Sequence, residues 1–279
     1  MSRAKPYTRY TTLSATAQYA SVKITLTKHP GRDTRTKKGI PSSDAALRAN
    51  QRARHYRLWN DITSNFVDGD HWLCPTYDAM HLPKNEEEAK RNISKFIQDV
   101  KRKCKRRGIE VFAIWNTEKG TEGERLHHHI IMNEEVPLHI IEECWTYGKV
   151  KPKKLYDEGY NKDGFWTLAG YMIKNSVDSY CRESDLNKQA YSRTRNLKKP
   201  RTKKTPVSEL EIYVPKGYIV MKNSVKEYTN EITGLPVLEY RLQAATKNPR
   251  KNWHRGKKIP FREAYPITRE YIEERLSLF

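Results

Sequence analysis

The sequence predicts an α+β fold with a largely antiparallel sheet, flanking helices and basic extensions. β-type and helical segments follow one another irregularly, without the strand–helix–strand rhythm of a parallel sheet. Two β-rich runs also flank the turn "KGTEGE" at residues 119–124, which is typical of an antiparallel hairpin. Strong helix signals lie between the strand segments, the clearest of them at residues 85–107.

The first elements expected along the chain are a strand, a loop and a helix. Residues 19–26, "YASVKITL", alternate as a half-buried strand does. Residues 28–44 are basic and rich in Gly, Pro and Ser, which indicates a loop. A helix should follow over residues 45–66. The next stretch, "HWLCPTYD", predicts a short strand, and Pro75 should lie near a strand end because proline cannot donate a ladder hydrogen bond.

The helix at residues 85–107 has signals at both ends. Asn85 can cap its N-terminus, Glu88 occupies the reciprocal position of a capping box, and Gly108 can end it. Lys and Arg crowd its last turn, where they interact favourably with the helix dipole. Six residues fall on one face and should be buried: Ala89, Ile93, Phe96, Ile97, Val100 and Cys104.

The second half of the chain mixes helices and strands. A helix beginning at Pro137 is expected to run to about Tyr147 and to end at Gly148. Another helix covers roughly residues 165–181, and residues 182–204 are dense in Lys and Arg. Beyond them, "LEIYVPKGYIVM" and "LPVLEYRLQ" indicate further strands, and a short helix is expected to close the chain.

Charge is the most informative bulk property. The chain has 279 residues, with 53 Lys and Arg against 33 Asp and Glu, which gives a formal net charge of +20. Such an excess has no use in folding but attracts a polyanion, so nucleic acid is the expected partner. A membrane surface is the alternative, but the sequence has neither a basic amphipathic helix nor a lipidation signal. The N-terminus also has no apolar leader, so we expect a soluble, cytoplasmic protein.

The cysteines agree with a reducing compartment. They lie far apart and form no C-x-x-C pair, which argues against a zinc knuckle or a disulfide framework. The four are Cys74, Cys104, Cys144 and Cys181.

Three consecutive histidines in "ERLHHHIIMN" suggest a metal site. On a strand, alternate residues share a face, so His127 and His129 should point one way and His128 the other. Two imidazoles on one face can bind one metal ion. The alternative is that the pair fills a surface or a core position. His128 is expected to be structural or to lie next to a nucleic acid.

The hairpin can supply a third ligand. If Glu118 pairs with Arg125, Asn116 lies opposite His127, and Glu118 becomes the diagonal neighbour of His127 on the same face. A slip of one residue would destroy this arrangement. With this register, Glu118, His127 and His129 form a carboxylate-plus-two-histidine site that suits Mg²⁺ or Mn²⁺ and could hold zinc in vitro.

The helix in "WTLAGYMIKNSVDSYCRE" offers a nucleophile. Tyr171, Lys174 and Asp178 gather on one side, opposite a stripe of small and apolar residues that also includes Tyr180. A tyrosine hydroxyl titrates near 10 and is a weak nucleophile until a cation assists it. A lysine three residues on could hold a phosphate or favour the phenolate.

These motifs resemble the HUH family of single-stranded DNA endonucleases, in the branch of rolling-circle replication initiators of phages and plasmids. "LHHHIIM" is similar to the family's metal-binding strand, with His128 in a slot that an apolar residue usually fills. "YMIKNS" resembles its Y-x-x-K nucleophile motif, and "LCPTY" looks like a third family motif. "YSRTRNLKKP" is similar to the basic segment of phage-type members.

The resemblance covers roughly residues 55–200. It implies a ferredoxin- or RRM-like HUH endonuclease domain at 55–200, a basic N-terminal extension at 1–54 that can contribute a strand, and a β-rich basic extension at 201–279. Tyr171 would be the nucleophile and Lys174 its helper. Tyr180 lies on the opposite helix face, so one active tyrosine is expected. The sequence has no Walker A loop, so no fused helicase is expected.

The resemblance implies phosphoryl transfer. Tyr171 would attack single-stranded origin DNA, become linked to the 5′ phosphate and leave a 3′ hydroxyl that primes synthesis, with Mg²⁺ or Mn²⁺ as the metal. A host helicase and polymerase in a bacterial cytoplasm are the expected partners. The basic residues expected to contact nucleic acid are Arg193, Arg195, Lys198, Lys199, Arg201, Lys203 and Lys204.

Two alternatives to an initiator remain open at this point. A one-tyrosine HUH transposase would use the same chemistry, although the basic extensions argue mildly against it. A non-catalytic, basic, single-stranded nucleic-acid-binding protein would carry the histidines incidentally.

Overall fold

The computed structural model describes residues 6–26, 44–120, 125–156, 163–182, 190–221, 223–245 and 256–259. The helices of this part of the chain are α1 (Asp44–Asn65), α2 (Glu86–Lys105), α3 (Leu138–Cys144) and α4 (Trp166–Arg182). The strands are β1 (Tyr7–Leu13), β2 (Tyr19–Leu26), β3 (His71–Tyr77), β4 (Ala113–Lys119), β5 (Leu126–Met132), β6 (Gly148–Lys154), β7 (Ser192–Arg193), β8 (Arg201–Val207), β9 (Ile212–Pro215), β10 (Tyr218–Val220), β11 (Lys226–Thr229), β12 (Pro236–Ala244) and β13 (Gly256–Ile259).

The predicted α+β class is confirmed, because the strand pairings are antiparallel and helices pack on a sheet. The expected closing helix falls on residues outside the described ranges. None of the described helices combines the length and the apolar character needed to cross a membrane.

The chain divides into two compact units. One contains Met1–Thr36 with Arg201–Phe279, and the other contains Lys37–Pro200. The sequence-based limit between residues 54 and 55 falls inside α1. Compactness does not show which residues carry an activity, so the endonuclease domain at 55–200 and the extensions at 1–54 and 201–279 stay a proposal.

The unit formed by the two chain ends is β-rich. Its larger sheet has the order β10-β12-β2-β1-β8, with β11 on β12, and a second sheet pairs β13 with β9. The hairpin of β1 and β2 therefore lies between strands from the C-terminal part of the chain. Its core includes Val22, Ile24, Leu238, Tyr240 and Leu242. The sequence predicted β2, β9, β10 and β12 but not β1 or β8.

The unit at residues 37–200 contains a five-stranded sheet in the order β6-β3-β5-β4-β7. One face of this sheet packs against α2 and α3, and its core includes Leu73, Tyr77, Ile130 and Met132. On the opposite face α4 packs against β4, and α1 packs against α4.

Helix α2 follows its sequence signals closely. All six residues of the predicted apolar face are buried. The Asn85 side chain accepts a hydrogen bond from the Glu88 backbone N–H at 2.9 Å. The Glu88 carboxylate accepts from the N–H of Lys84 at 2.7 Å, one residue before the position that a capping box would use.

Helix α3 is shorter than predicted and ends at Cys144 rather than near Tyr147. The chain leaves the helix because Trp145 turns into the core, where its indole N–H donates to the Thr76 carbonyl at 3.0 Å. Gly148 does not end the helix but begins β6. A Cβ at this residue would lie 2.3 Å from the Thr76 carbonyl oxygen, so only glycine allows the strands to approach.

Candidate metal and tyrosine site

The hairpin of β4 and β5 positions the candidate metal ligands. Glu118 pairs with His127, and Asn116 pairs with His129. The predicted pairing of Glu118 with Arg125 is therefore wrong by two residues. The Gly120 N–H donates to the Arg125 carbonyl, which fixes the observed register. A shift of two residues returns every side chain to its original face, so the predicted ligand face survives the error.

The structure brings together three groups that could hold a metal ion. Ligand atoms of Glu118, His127 and His129 all lie within 4.8 Å of one another. Glu118 and His129 are buried, and His127 is partly exposed. Two buried ligands and one partly exposed ligand leave an open side from which a substrate can approach.

Unpaired buried oxygens show that this group suits a cation. The Glu118 Oε2 atom lies 3.2 Å from His129 Nε2, but it has no hydrogen-bond partner among the described residues. The buried Oδ1 atom of neighbouring Asn116 also has none in the part of the chain that the structure describes. A buried acceptor without a donor is costly, and a bound cation would relieve that cost.

The electrostatics around His129 point the same way. Burial alone lowers the pKa of His129, but the Cys74 thiol and the Glu118 carboxylate outweigh it and raise the pKa to about 9. The surroundings therefore favour positive charge at this ring. His127 lies edge-on to His129, and its Nδ1 atom is 3.4 Å from the Arg125 carbonyl oxygen. If Nδ1 carries the proton, His127 Nε2 remains available as a ligand atom.

The middle histidine has a different role. His128 is fully buried on the opposite face, with its ring nitrogens 2.8 Å from the Tyr77 hydroxyl and 3.0 Å from the Thr117 hydroxyl. Burial, together with the neighbouring histidines, lowers the pKa of His128 to about 3. His128 is therefore a neutral structural residue, as its position in the strand indicated.

Helix α4 brings the tyrosine to the metal group. The Asp163 carboxylate accepts hydrogen bonds from the N–H groups of Trp166 and Thr167 and so defines the start of the helix. Further along the helix, the Tyr171 hydroxyl lies 3.2 Å from His129 Nε2. The Tyr171 side chain is 45% exposed, so a substrate can reach its oxygen. Burial raises the pKa of Tyr171, and Glu118 and Cys74 act in the same direction.

Two contacts fix the position of α4 along the sheet. The Asn116 amide donates to the Met172 carbonyl at 2.9 Å, which ties β4 to the residue after Tyr171. On the other side of the helix, a Cβ at Gly170 would lie 3.2 Å from the His55 ring. His55 also stacks on Trp166 with ring centroids 3.7 Å apart. Nothing in the sequence singled out His55, because its partner lies far along the chain.

Lys174 is exposed one turn after Tyr171, and its helper role stays a proposal. The side chains of Asp178 and Tyr180 lie outside the described part of α4. The buried residues of the predicted apolar stripe that are described are Ala169, Met172 and Ile173.

Sequence reasoning missed the contribution of β3 to the site. Trp72 stacks on His129, with ring centroids 5.1 Å apart and planes at 7°, and it meets Tyr171 edge-on. Cys74 lies on the same strand face and contacts His129. The signal for both was the alternation in "HWLCPTYD", but it becomes informative only when β3 is known to pair with β5.

The basic segment is divided between the two units. Arg193 lies on β7, and its guanidinium pairs with the buried Asp61 carboxylate, which also accepts from the Tyr191 hydroxyl at 3.0 Å. Burial raises the pKa of Asp61, and Arg193 acts in the opposite direction. The Arg193 side chain is still 40% exposed. The other candidate contacts are also exposed: Arg195, Lys198 and Lys199 in this unit, and Arg201, Lys203 and Lys204 on β8.

The fold and the site define an α+β protein with a Glu-His-His group that could hold a metal ion beside an exposed tyrosine. Residues 70–176, from the start of β3 to beyond Tyr171, match a family model described as that of the replication-associated protein ORF2. This match is consistent with a rolling-circle replication initiator and supports a role in the initiation of replication. No curated protein and no solved structure matches the chain.

Proposed function

We propose that this protein is a rolling-circle replication initiator of the HUH type, which nicks and rejoins single-stranded origin DNA through a phosphotyrosine intermediate. The observation that carries the proposal is the 3.2 Å distance between the Tyr171 hydroxyl and His129 Nε2. It places a candidate nucleophile beside three groups that could hold a metal ion. The family match over residues 70–176 supports the replication role.

Glu118, His127 and His129 would hold the metal, and Mg²⁺ or Mn²⁺ suits an oxygen-and-imidazole site with open positions. When bound, the ion would supply Lewis-acid polarisation of a phosphate oxygen. The protein's own contribution is to orient the substrate. Tyr171 lies at the edge of the metal group, and Trp72 stacks on His129, which limits the positions that a phosphodiester can occupy.

The proposed reaction is one phosphoryl transfer with two ends. The Tyr171 oxygen forms a bond to phosphorus, and the bond from phosphorus to the 3′ oxygen breaks. The phenolic proton passes to solvent, to which the half-exposed ring gives access, and the 3′ oxygen takes up a proton as it leaves. The link conserves the energy of the phosphodiester, so a later 3′ hydroxyl can reverse the step and rejoin a strand.

Lys174 would hold a neighbouring phosphate or stabilise the Tyr171 phenolate. The second role matters because the protein groups alone raise the pKa of Tyr171 and so disfavour the anion. A cation at the metal group or an ammonium at Lys174 acts in the opposite direction. We include a host helicase and polymerase as partners and a bacterial cytoplasm as the location, because a nick that leaves a 3′ hydroxyl serves replication only with these enzymes.

The test is a search for the covalent intermediate. The purified protein is incubated with Mn²⁺ and a labelled library of single-stranded oligonucleotides, and the products are separated on a denaturing gel. We expect a protein–DNA adduct that maps to the peptide containing Tyr171. An adduct on another tyrosine would refute the assignment. Strand binding without any adduct, in Mg²⁺ or Mn²⁺, would instead identify a non-catalytic binding protein.

A further inference from the structure

Edge strand β6 shares a face of its sheet with the candidate site. Residues paired directly across an antiparallel sheet point to the same side. β6 and β3 pair Lys149 with Thr76, Lys151 with Cys74 and Lys153 with Trp72. Thr76 pairs in turn with His127 on β5. The three lysines therefore lie on the face that carries the metal group, two strands away from it, which is about 10 Å at the usual strand spacing.

This face is open toward β6 and closed toward β4. Trp72, Cys74 and Thr76 on β3 are partly exposed, whereas the alternate residues Leu73 and Tyr77 are buried. On β4 the corresponding residues are buried beneath α4, as for Asn116 and Glu118. A strand of nucleic acid that reaches Tyr171 can therefore continue over β3 and β6.

The charges on β6 are available to such a strand. Lys149, Lys151 and Lys153 are exposed, and none of them forms an ion pair within the part of the chain that the structure describes. Lys154 differs, because it points to the opposite face, donates to the Gly69 carbonyl at 2.9 Å and lies 4.0 Å from Glu134. The four lysines of one strand thus divide into a row of three on the site face and one lysine that is engaged in the fold.

Protection of the sheet edge does not explain this division. Lysine and proline on an edge strand discourage pairing with another chain, and "GKVKPKK" has both residue types. That role needs charge near the edge but does not depend on the face to which each lysine points. The row lies on the site face, and its members are about 6.6 Å apart along the strand, close to the spacing of phosphates in an extended single strand.

We propose that Lys149, Lys151 and Lys153 bind the phosphate backbone of the single-stranded DNA next to the scissile phosphate, with the strand crossing β3 between them and Tyr171. This β6 lysine row rests on the proposed function and specifies the path of its substrate. It lies in the unit at residues 37–200 and is separate from the basic segment at 193–204. Trp72 and Thr76 lie beneath the path and are partly exposed to it.

The test compares the salt dependence of DNA binding between matched variants of the full chain. Fluorescence anisotropy with a labelled oligothymidylate is measured over a range of salt concentrations for the wild-type protein and for the triple variant Lys149→Gln, Lys151→Gln, Lys153→Gln. Each lost phosphate contact reduces the log–log slope by about 0.7, so three lost contacts should reduce it by about 2. The matching Lys→Arg triple variant keeps the charges and should keep the slope.

Two controls separate the row from bulk charge. The triple variant Lys95→Gln, Lys101→Gln, Lys105→Gln removes the same charge from exposed positions on α2, which packs against the opposite sheet face. The variant Lys154→Gln removes one charge from β6 itself but on the wrong face. Both should leave the slope close to that of the wild-type protein, and circular dichroism should show that all variants are folded.

The outcomes distinguish this inference from the proposed function. If the wild-type protein forms the tyrosine adduct and the β6 triple variant has the same slope as the α2 triple variant, the path over β6 is wrong. If the β6 triple variant alone has the shallower slope, the path is supported. If that result comes with no tyrosine adduct in the wild-type protein, the strand-binding surface stands and the endonuclease function fails.

Discussion

The hydroxyl of Tyr171 on α4 lies 3.2 Å from Nε2 of His129 on β5. This contact joins the two motifs that the sequence places in different elements. It depends on the strand face of His129, on the helix face of Tyr171, and on the Asn116 hydrogen bond that fixes the helix along the sheet. The expectations below test these dependencies separately.

Replacing Tyr171 with phenylalanine should abolish the covalent adduct and leave binding of DNA and Mn²⁺ almost unchanged. Phenylalanine preserves the ring and its contacts with Trp72 and His129 but removes the oxygen that would attack phosphorus. Adduct formation is measured on a denaturing gel, and DNA binding by anisotropy. Tyr180→Phe is the matched control and should still form the adduct. An adduct formed by the Tyr171 variant would exclude Tyr171 as the nucleophile.

Replacing His127 and His129 together with alanine should remove Mn²⁺ binding, because two of the three grouped ligands are lost. Isothermal titration calorimetry measures the binding, and circular dichroism checks the fold. Glu118→Gln should weaken binding and metal-supported cleavage, since it removes the negative charge. His139→Ala is the control, because His139 is exposed and contacts Arg107 away from the site. Unchanged Mn²⁺ affinity in the double variant would disprove the metal site.

Neutralising the basic segment should also weaken single-stranded DNA binding in a salt-dependent way. Replacing Lys198, Lys199, Lys203 and Lys204 with glutamine removes four exposed positive charges. Each of these lysines that contacts a phosphate contributes about 0.7 to the slope of log affinity against log salt concentration. The measurement is the same anisotropy titration. An unaltered slope would show that the segment does not contact the strand.

The interior of the fold offers a separate stability test at the buried His128. Tyr77→Phe removes a hydroxyl 2.8 Å from a ring nitrogen of His128 and leaves that nitrogen without this partner. A buried polar group that loses its partner costs about 1–3 kcal/mol, so the free energy of unfolding in urea should fall by that amount. Tyr147→Phe is the control, because Tyr147 packs in the same aromatic group and is only partly buried. Equal stabilities of the two variants would contradict the role given to His128.

Local rules predicted the parts of the site that depend on one element. The alternation of a strand placed His127 and His129 on one face, and helix periodicity separated Tyr171 from the buried Met172. Short-range signals also predicted the cap at Asn85 and the buried face of α2. In each case, the residues that decide the outcome lie within a few positions of one another.

The parts that the sequence did not predict depend on pairing between distant segments. Strand parity was correct, but nothing in the alternation distinguished a pairing of Glu118 with His127 from one with Arg125, since both keep the same face. β6 was not predicted because its lysines and Pro152 are unfavourable in a central strand and acceptable only at an edge. The roles of Trp72 and His55 likewise required knowledge of which elements pack together.

Asn116 should be a positioning residue for Tyr171. Its amide donates to the Met172 carbonyl, so Asn116→Ala should loosen α4 over the sheet while leaving the three metal ligands in place. Because small displacements of a reacting group can cost up to about 100-fold in rate, we expect adduct formation at saturating DNA to slow by roughly ten- to a hundredfold. Mn²⁺ affinity should stay close to that of the wild-type protein. A variant that loses metal affinity and rate together would show instead that Asn116 supports the metal ligands.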